Sequence, residues 1–359
     1  MSTITLAREP ATAVARSFKA QDDKQMLRAA AELTRDLVAP RPALYWADMG
    51  GSALLGYGAL VGAATLSGGW AVAAGVVAVL ALYRAMSFIH EVSHMKHSGA
   101  MRGFRRGFDA IVGVPMLIPS FMYEGVHNLH HAKTRYGTAD DPEYLPLALM
   151  KPWTLPLFIL VSALAPLGLL IRYGVLAPLS VVVPGLRRAV VERYSALAIN
   201  PQFRRRAPEG EPKRYWERVE LAASLWAVSL LAMVAFGVIP LRAFAIGFAI
   251  ASAVAVLNQV RTLVAHLWEN DGEPMSVTAQ YLDSVNVPPP TLLPALWAPV
   301  GLRYHALHHL LPGLPYHALG EAHRRLSAAL ETGSPFHKAS YTGLPYLAAK
   351  IARSTMGRR

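Results

Sequence analysis

The chain contains no cysteine among its 359 residues. Disulfides, thiolate-bound iron–sulfur clusters and zinc–thiolate sites are therefore excluded within this chain. Any metal that the protein binds has to be held by nitrogen or oxygen ligands.

Charged residues are also scarce, at 16% of the sequence, whereas hydrophobic residues make up 53%. A soluble protein of this length would divide into two domains and carry more charge. The composition is instead typical of a polytopic membrane protein. No cleavable signal peptide is evident, because the first twenty residues carry Arg8, Glu9, Arg16 and Lys19 and lack an apolar core.

Acidic residues are few relative to basic ones, 23 against 35, which gives a formal net charge of +12. In membrane proteins an excess of Lys and Arg marks cytoplasmic loops that face anionic lipid. Nucleic-acid binding is the competing explanation of a basic chain. We do not favour it, because the arginines lie between apolar segments rather than on one basic face.

Long uncharged runs define the membrane spans. A span needs about 20 residues, so the uncharged stretch from Gly50 to Tyr83 is long enough for two. We predict an all-α protein with about four transmembrane helices and a cytoplasmic helical cap, formed by residues 90–218 and 265–359. The predicted spans are 50–67, 70–89, 219–238 and 241–264.

Two further segments are less regular. Residues 153–183 are apolar, and the basic stretch after them, residues 187–218, is expected in the cytoplasm. Both ends of the apolar segment would then lie on the cytoplasmic side. We therefore predict a re-entrant or interfacial hairpin that turns near Arg172, Tyr173 and Gly174. Residues 1–44 precede the membrane domain of residues 45–359. They contain an expected helix from Asp22 to Val38, which lies either on the membrane surface or as an ordinary packed helix.

Histidines are concentrated in a few helical turns. His127, His130 and His131 have i, i+3, i+4 spacing, and the same spacing returns at residues 305, 308 and 309. His90 and His94 are i and i+4. Residues at these spacings share a helix face, so each cluster can present its imidazoles to a common point. His266, directly after the last span, completes the set of nine: His90, His94, His127, His130, His131, His266, His305, His308 and His309.

Nine imidazoles are too many for one metal ion but enough for two ions with four or five nitrogens each. Imidazole suits iron, zinc, copper and nickel, so the ligand type alone does not choose the metal. Four-coordinate zinc sites need fewer ligands, and a non-heme di-iron site that activates O2 is the better match. Acids near the rings would offset the buried positive charge. The candidates, each of which is equally explained as a solvated loop charge, are Glu91, Glu124, Asp140, Asp141, Glu143, Glu269 and Asp271.

The clusters carry a specific resemblance. His90-Glu-Val-Ser-His94, His127-Asn-Leu-His130-His131 and His305-Ala-Leu-His308-His309 resemble, in order and spacing, the three histidine boxes of the membrane fatty-acid desaturase and hydroxylase superfamily. The resemblance implies a four-span bundle with a cytoplasmic cap and a centre of two non-heme irons. It also implies that the eight box histidines are iron ligands and that His266 is the additional ligand between boxes two and three.

The resemblance further implies O2 as co-substrate and a separate ferredoxin-, rubredoxin- or cytochrome-type electron donor. The substrate would be an acyl chain on a membrane lipid, on coenzyme A or on a carrier protein. One departure concerns an asparagine that the family has one turn before the extra histidine. That position is Thr262 here, and Asn258 lies a turn further back. His97, three residues after His94, is expected near the ligands or on the surface.

Three functions are consistent with these observations. The box spacing and the Pro-Gly-Leu-Pro-Tyr segment at residues 312–316 resemble bacterial lipid desaturases, so desaturation is the favoured reaction. Hydroxylation by the same kind of centre is the alternative. A non-redox membrane metal-binding or transport protein is less favoured, because transporters place ligands at the bilayer midplane, whereas these clusters lie at span ends. We expect an integral protein of a bacterial inner membrane with its active site facing the cytoplasm.

Overall fold

The structure, a computed structural model, describes residues 21–95, 97 and 99–356. Regular structure in this part of the chain is helical, with only isolated β-bridges beside it, which confirms the all-α prediction. The helices, in chain order, are α1 (Lys24–Leu33), α2 (Pro42–Thr65), α3 (Gly68–His94), α4 (Phe104–Phe108), α5 (His127–His130), α6 (Thr154–Ser180), α7 (Pro184–Tyr194), α8 (Gly210–Ala235), α9 (Leu241–Leu263), α10 (Val277–Asp283), α11 (Pro294–Trp297), α12 (His305–Leu310), α13 (Leu319–Ala329) and α14 (Leu344–Met356).

Within the described residues, four helices are long and apolar enough to cross a membrane, namely α3, α6, α8 and α9. The protein is therefore an integral membrane protein. Three of these helices contain the predicted spans 70–89, 219–238 and 241–264 almost entirely. The predicted span 50–67 lies largely in α2, which has 24 residues and is about 36 Å long. Whether α2 crosses the bilayer stays a prediction.

Helices α2 and α3 form a hairpin whose close contact depends on small residues. A Cβ atom added to Gly56 would lie 2.7 Å from Leu82 Cγ and 3.0 Å from the Leu82 backbone nitrogen. A Cβ atom added to Gly62 would lie 3.3 Å from Ala74 Cβ. The hairpin therefore holds α3 at a fixed distance from α2, and the last turns of α3 carry the first histidine cluster.

Replacing Gly56 by valine is expected to destabilise this hairpin by about 1–3 kcal/mol, because overpacking forces the helices apart. Thermal unfolding of the detergent-solubilised protein measures the effect. Gly58→Val is the matched control on the same helix, since a Cβ atom at Gly58 meets no atom within 4 Å. Equal stability of the two variants would contradict the close packing.

The segment predicted as a hairpin is instead one continuous helical run, α6. No turn is observed near Arg172, where the helix continues as a π-helical stretch, Arg172–Leu176. The Nη2 group of the buried Arg172 guanidinium donates hydrogen bonds to Ser195 and Glu220, which replace water at this part of the side chain. A turn is not needed at this charge, because the charge is buried against α8.

The contacts of α6 nevertheless place both of its ends at one end of the α8–α9 hairpin. Leu155 packs in one cluster with Val264, just after α9. At the other end α7 follows, and its Arg187 pairs with Glu220 in the first half of α8. The start of α8 and the end of α9 both lie at the end of the bundle that carries the histidines, since Trp216 stacks on Phe121, shortly before α5, and His266 lies beside His130 of α5. A re-entrant or interfacial α6 fits this arrangement and stays a prediction.

Helix α1 is an ordinary packed helix in the structure. Asp23 caps its first turn, where the carboxylate accepts a hydrogen bond from Met26 N at 2.9 Å. Met26 and Ala30 are buried and pack in one cluster with Leu307 of α12 and Ala322 of α13. Of the two expectations for this segment, the packed helix matches these contacts. Residues 1–20 lie outside the described residues.

Candidate metal centre

Four separate elements bring the nine histidines together at one end of the bundle. The last two turns of α3 carry the first pair, α5 and the residue after it carry the second cluster, and α12 carries the third. His266 follows α9 by three residues. Seven of the nine are buried, and His94 and His131 are half-buried. The predicted convergence of the clusters is therefore observed.

The histidines form two groups rather than one. In each group the candidate ligand nitrogens all lie within 4.8 Å of one another. The first group has five members, His90, His94, His127, His131 and His308, and the second has four, His130, His266, His305 and His309. This division into five and four nitrogens matches the four or five nitrogens per ion expected from the sequence.

Helix geometry explains why the second and third boxes are each divided between the groups, whereas His90 and His94 of the first box stay together. Successive residues of an α-helix are about 100° apart, so positions i+3 and i+4 lie on opposite sides of position i. His127 and His131 join the first group, whereas His130 joins the second. In the third box His305 and His309 join the second group, and His308 joins the first. We expected the imidazoles of each cluster to face one common point. In the second and third clusters they face two different groups instead.

Several Nε2 atoms approach one another at distances that suit a shared cation. His308 Nε2 lies 3.0 Å from His94 Nε2 and 3.2 Å from His131 Nε2. In the second group His305 Nε2 lies 3.0 Å from His266 Nε2. Two imidazole nitrogens each about 2.1 Å from one ion, at a right angle, would be about 3.0 Å apart. The rings therefore fit metal binding in each group.

Burial favours the neutral form of most of these rings, and a neutral imidazole has a lone pair for a metal. Burial lowers the pKa of His127, His131, His266, His305, His308 and His309. Burial also lowers the pKa of His130, but the adjacent Asp141 carboxylate outweighs this effect and raises it overall. Within the described residues neither ring nitrogen of the buried His90 has a hydrogen-bond partner. A bound cation would satisfy one of them.

Glu143 orients the ring of His127. Its Oε1 lies 2.8 Å from His127 Nδ1, and its Oε2 accepts a hydrogen bond from the Tyr123 hydroxyl at 2.7 Å. A proton on Nδ1 leaves the Nε2 lone pair to face the other histidines. Burial raises the pKa of Glu143 to about 7.

Asp141 orients His130 in the same way and is fully buried. Its two oxygens lie 2.9 and 3.0 Å from His130 Nδ1. The same carboxylate accepts hydrogen bonds from the backbone N–H groups of Gly137 and Glu143, each at 2.8 Å. Asp141 therefore joins the ring to the loop that carries Glu143.

The third orienting acid, Asp283 of α10, acts through a tyrosine. The Tyr136 hydroxyl lies 2.9 Å from His266 Nδ1 and donates a hydrogen bond to Asp283 Oδ2 at 2.7 Å. Burial raises the pKa of Asp283 to about 7. Tyr136 and Asp283 are both fully buried, so this chain of hydrogen bonds holds His266 away from water.

The other residues proposed near the metals lie in different positions. Glu91 Oε1 is 3.7 Å from His90 Nδ1. His97 pairs with Glu124 at 2.7 Å, and neither belongs to the two groups. No hydrogen bond joins the half-buried Asn258 or Thr262 to a described histidine, and Asp271 is exposed.

Sequence reasoning missed Tyr123, Tyr136 and Asp283. Tyr123 had a local signal, because it lies four residues before His127 and so on the same face of a helical turn. Tyr136 and Asp283 are 147 residues apart. Only the packing of α10 against the loop after α5 brings them together, so no spacing rule could have found the pair.

Apolar helices whose ends carry two adjacent all-histidine groups define a membrane protein with two groups of side chains that could each hold a metal ion. The chain belongs to the fatty acid desaturase family, whose model matches residues 68–340. A ceramide hydroxylase of Caulobacter vibrioides (strain NA1000 / CB15N) is 50% identical over 327 residues, which cover 91% of this chain and 93% of the relative. No solved structure matches the chain. The resemblance drawn from the histidine boxes is confirmed, and the protein is an oxidoreductase.

Proposed function

We propose that the protein is an O2-dependent hydroxylase of a membrane lipid and that ceramide-type lipids are its substrate class. The 50% identity to a ceramide hydroxylase, which extends over nearly the whole of both chains, carries this proposal. The spacing of the histidine boxes favours desaturation. The relative supports hydroxylation at least as strongly, and desaturation of the same acyl chain is the second candidate.

The metal ligands in this proposal are the nine grouped histidines, with one non-heme iron in each group. When bound, such a centre supplies the redox power to cleave an unactivated C–H bond with O2. The five-and-four division and the Nε2 separations support two ions. Asp141, Glu143 and the Tyr136–Asp283 pair hold the rings in the tautomer that turns Nε2 inward.

The chain's own contribution is position and the exclusion of water. Trp268, Tyr144 and Tyr136, none of which is more than 2% exposed, pack against His266 of the second group. Large buried side chains around a reactive site exclude water and so prevent side reactions with it. Glu143, with its pKa near 7, and Tyr123 hold a proton beside His127 Nδ1. This proton fixes the ring without adding charge to it.

Hydroxylation and desaturation begin with the same hydrogen removal and differ in the second step. Return of oxygen to the carbon gives an alcohol, whereas loss of a second hydrogen gives a double bond. Small differences in how the lipid is placed decide between them. We place the site on the cytoplasmic side of a bacterial inner membrane, since the basic residues 187–218 flank the same end of the bundle. A separate one-electron donor supplies the reducing equivalents.

Lipid mass spectrometry on cells that express the protein and contain ceramide tests the proposal. We expect a ceramide that has gained one oxygen atom, and isotopically labelled O2 should label that atom. Loss of two hydrogens would establish the second candidate. Unchanged lipids, together with zinc at about one ion per chain or fewer instead of about two irons, would favour a non-redox metal protein.

A further inference from the structure

A basic cleft of about 930 Å³ opens beside the site, between α7, the first turns of α8 and the loop that joins them. Six basic and three acidic side chains line it. The basic ones are Arg187, Arg188, Arg204, Arg205, Arg206 and Lys213. The cleft is therefore large enough for protein side chains and carries a net positive charge.

Four of these six cations have no carboxylate partner among the described residues, and two of the four, Arg204 and Arg205, donate hydrogen bonds to backbone carbonyls instead. Among the described residues, no acid lies within salt-bridge distance of Arg188 or Arg206, and both side chains are exposed. Lys213 reaches Glu217 only at 3.9 Å, an exposed pair of little energetic weight. These three charges are free to attract an anionic surface.

Two pairs of packed rings, joined by a short segment of backbone, connect the floor of the cleft to the candidate metal centre. Trp216 lines the cleft, and its ring stacks on Phe121 with 4.6 Å between centroids. The Arg205 guanidinium lies over the Trp216 ring, 4.4 Å from the ring centroid. Arg205 also donates hydrogen bonds to the backbone carbonyls of Phe121 and Glu124, which holds this short helical turn against the cleft.

The same turn reaches a histidine of the first group. Tyr123, two residues after Phe121, stacks on His127 with 4.6 Å between centroids and an interplanar angle of 17°. Trp216 contacts Phe121, Tyr123 contacts His127, and the backbone of residues 121–123 joins the two ring contacts. Only this short covalent segment separates the two pairs of rings that an electron would use.

We propose that this cleft is the docking site of a small acidic one-electron carrier protein, and that its electrons enter through Trp216, Phe121 and Tyr123 toward His127. This inference rests on the proposed function. Hydroxylation places one oxygen atom of O2 in the C–H bond and reduces the other to water, which consumes two electrons and two protons. A one-electron carrier must therefore dock twice in each turnover, and a weak, charge-steered contact suits such repeated exchange.

A phosphate group of a lipid is the other anion that a basic cleft can bind. Ceramide carries no phosphate, so the proposed substrate leaves these cations unused. The route of ring contacts and backbone from the cleft floor to His127 also has no purpose in headgroup binding. Both observations favour the carrier.

Charge reversal tests the docking site. We expect the double variant Arg188→Glu with Arg206→Glu to weaken binding of an acidic [2Fe–2S] ferredoxin about tenfold, and to raise the KM for this carrier by a similar factor. Binding is measured by calorimetry on the purified protein in phosphatidylcholine nanodiscs, with and without metal. The wild-type affinity should fall as salt is added. Arg28→Glu, an exposed arginine on α1 in the cap, is the matched control and should bind as wild type does.

Reduction by dithionite, which needs no docking, should proceed equally in all variants. Trp216→Leu should slow reduction at saturating ferredoxin, whereas Trp216→Phe, which keeps a ring, should retain the rate. Unchanged ferredoxin binding in the double variant would overturn the proposal. So would an effect that appears only when the nanodiscs contain phosphatidylglycerol, because the cleft would then bind lipid. The binding readout is independent of lipid oxidation, so failure of the proposed reaction and failure of the docking site are distinguished.

Discussion

Replacing His308 by alanine is expected to abolish lipid oxidation and to lower the metal content from about two ions per chain to about one. His308 Nε2 lies close to two other members of the first group, 3.0 Å from His94 Nε2 and 3.2 Å from His131 Nε2. The preformed group loses a ligand that no neighbour replaces. Elemental analysis of the purified variant, with lipid mass spectrometry on the cells, measures both effects.

His130→Ala makes the corresponding test in the second group. Here the loss also leaves Asp141 buried without its imidazole partner, so a fall in thermal stability should accompany the loss of metal. His337→Ala is the control, because His337 lies in the cap near Leu330 and Phe336 and outside both groups. Full activity in His308→Ala or His130→Ala would show that the assigned ligands are wrong.

Replacing Asp141 by asparagine is expected to weaken metal binding by about 10–100-fold, although the side chain keeps its shape. Each oxygen of Asp141 accepts hydrogen bonds from both His130 Nδ1 and a backbone N–H group. In asparagine an NH2 group, itself a donor, would replace one of these acceptor oxygens. It could not accept the hydrogen bonds from His130 Nδ1 and the backbone N–H group. A hydrogen bond to a charged group contributes about 1.5–3 kcal/mol, and that contribution would be lost.

Competition with a chelator measures the metal affinity of Asp141→Asn, and thermal unfolding measures its stability. Since His130 belongs to the second group, the ion in that group should be lost first. Asp140→Asn is a matched control at the neighbouring position, because Asp140 is exposed. If the two variants bind metal equally, Asp141 does not orient His130 for a ligand role.

Much of this site could be predicted from local spacing. The i, i+3, i+4 pattern depends only on the pitch of a helix, so the box histidines were found without any tertiary information. Uncharged runs located the α2–α3 hairpin and the α8–α9 hairpin for a similar reason, since the thickness of a bilayer sets the length of a span. The basic stretch after residues 153–183 suggested that this apolar segment turns back near Arg172. The structure accommodates the arginine by burying it against Glu220, a contact 48 residues away.

The sequence by itself determined that this chain lies in a membrane, that it uses imidazole rather than thiolate for any metal, and which nine histidines are candidates. These properties follow from composition and from the period of a single helix. Only the tertiary structure decided that adjacent residues His130 and His131 belong to different groups, and that Asp283 holds His266 through Tyr136. The positions of these groups depend on how α3, α5, α9 and α12 meet, and no local pattern in the chain encodes the angles at which separate helices pack.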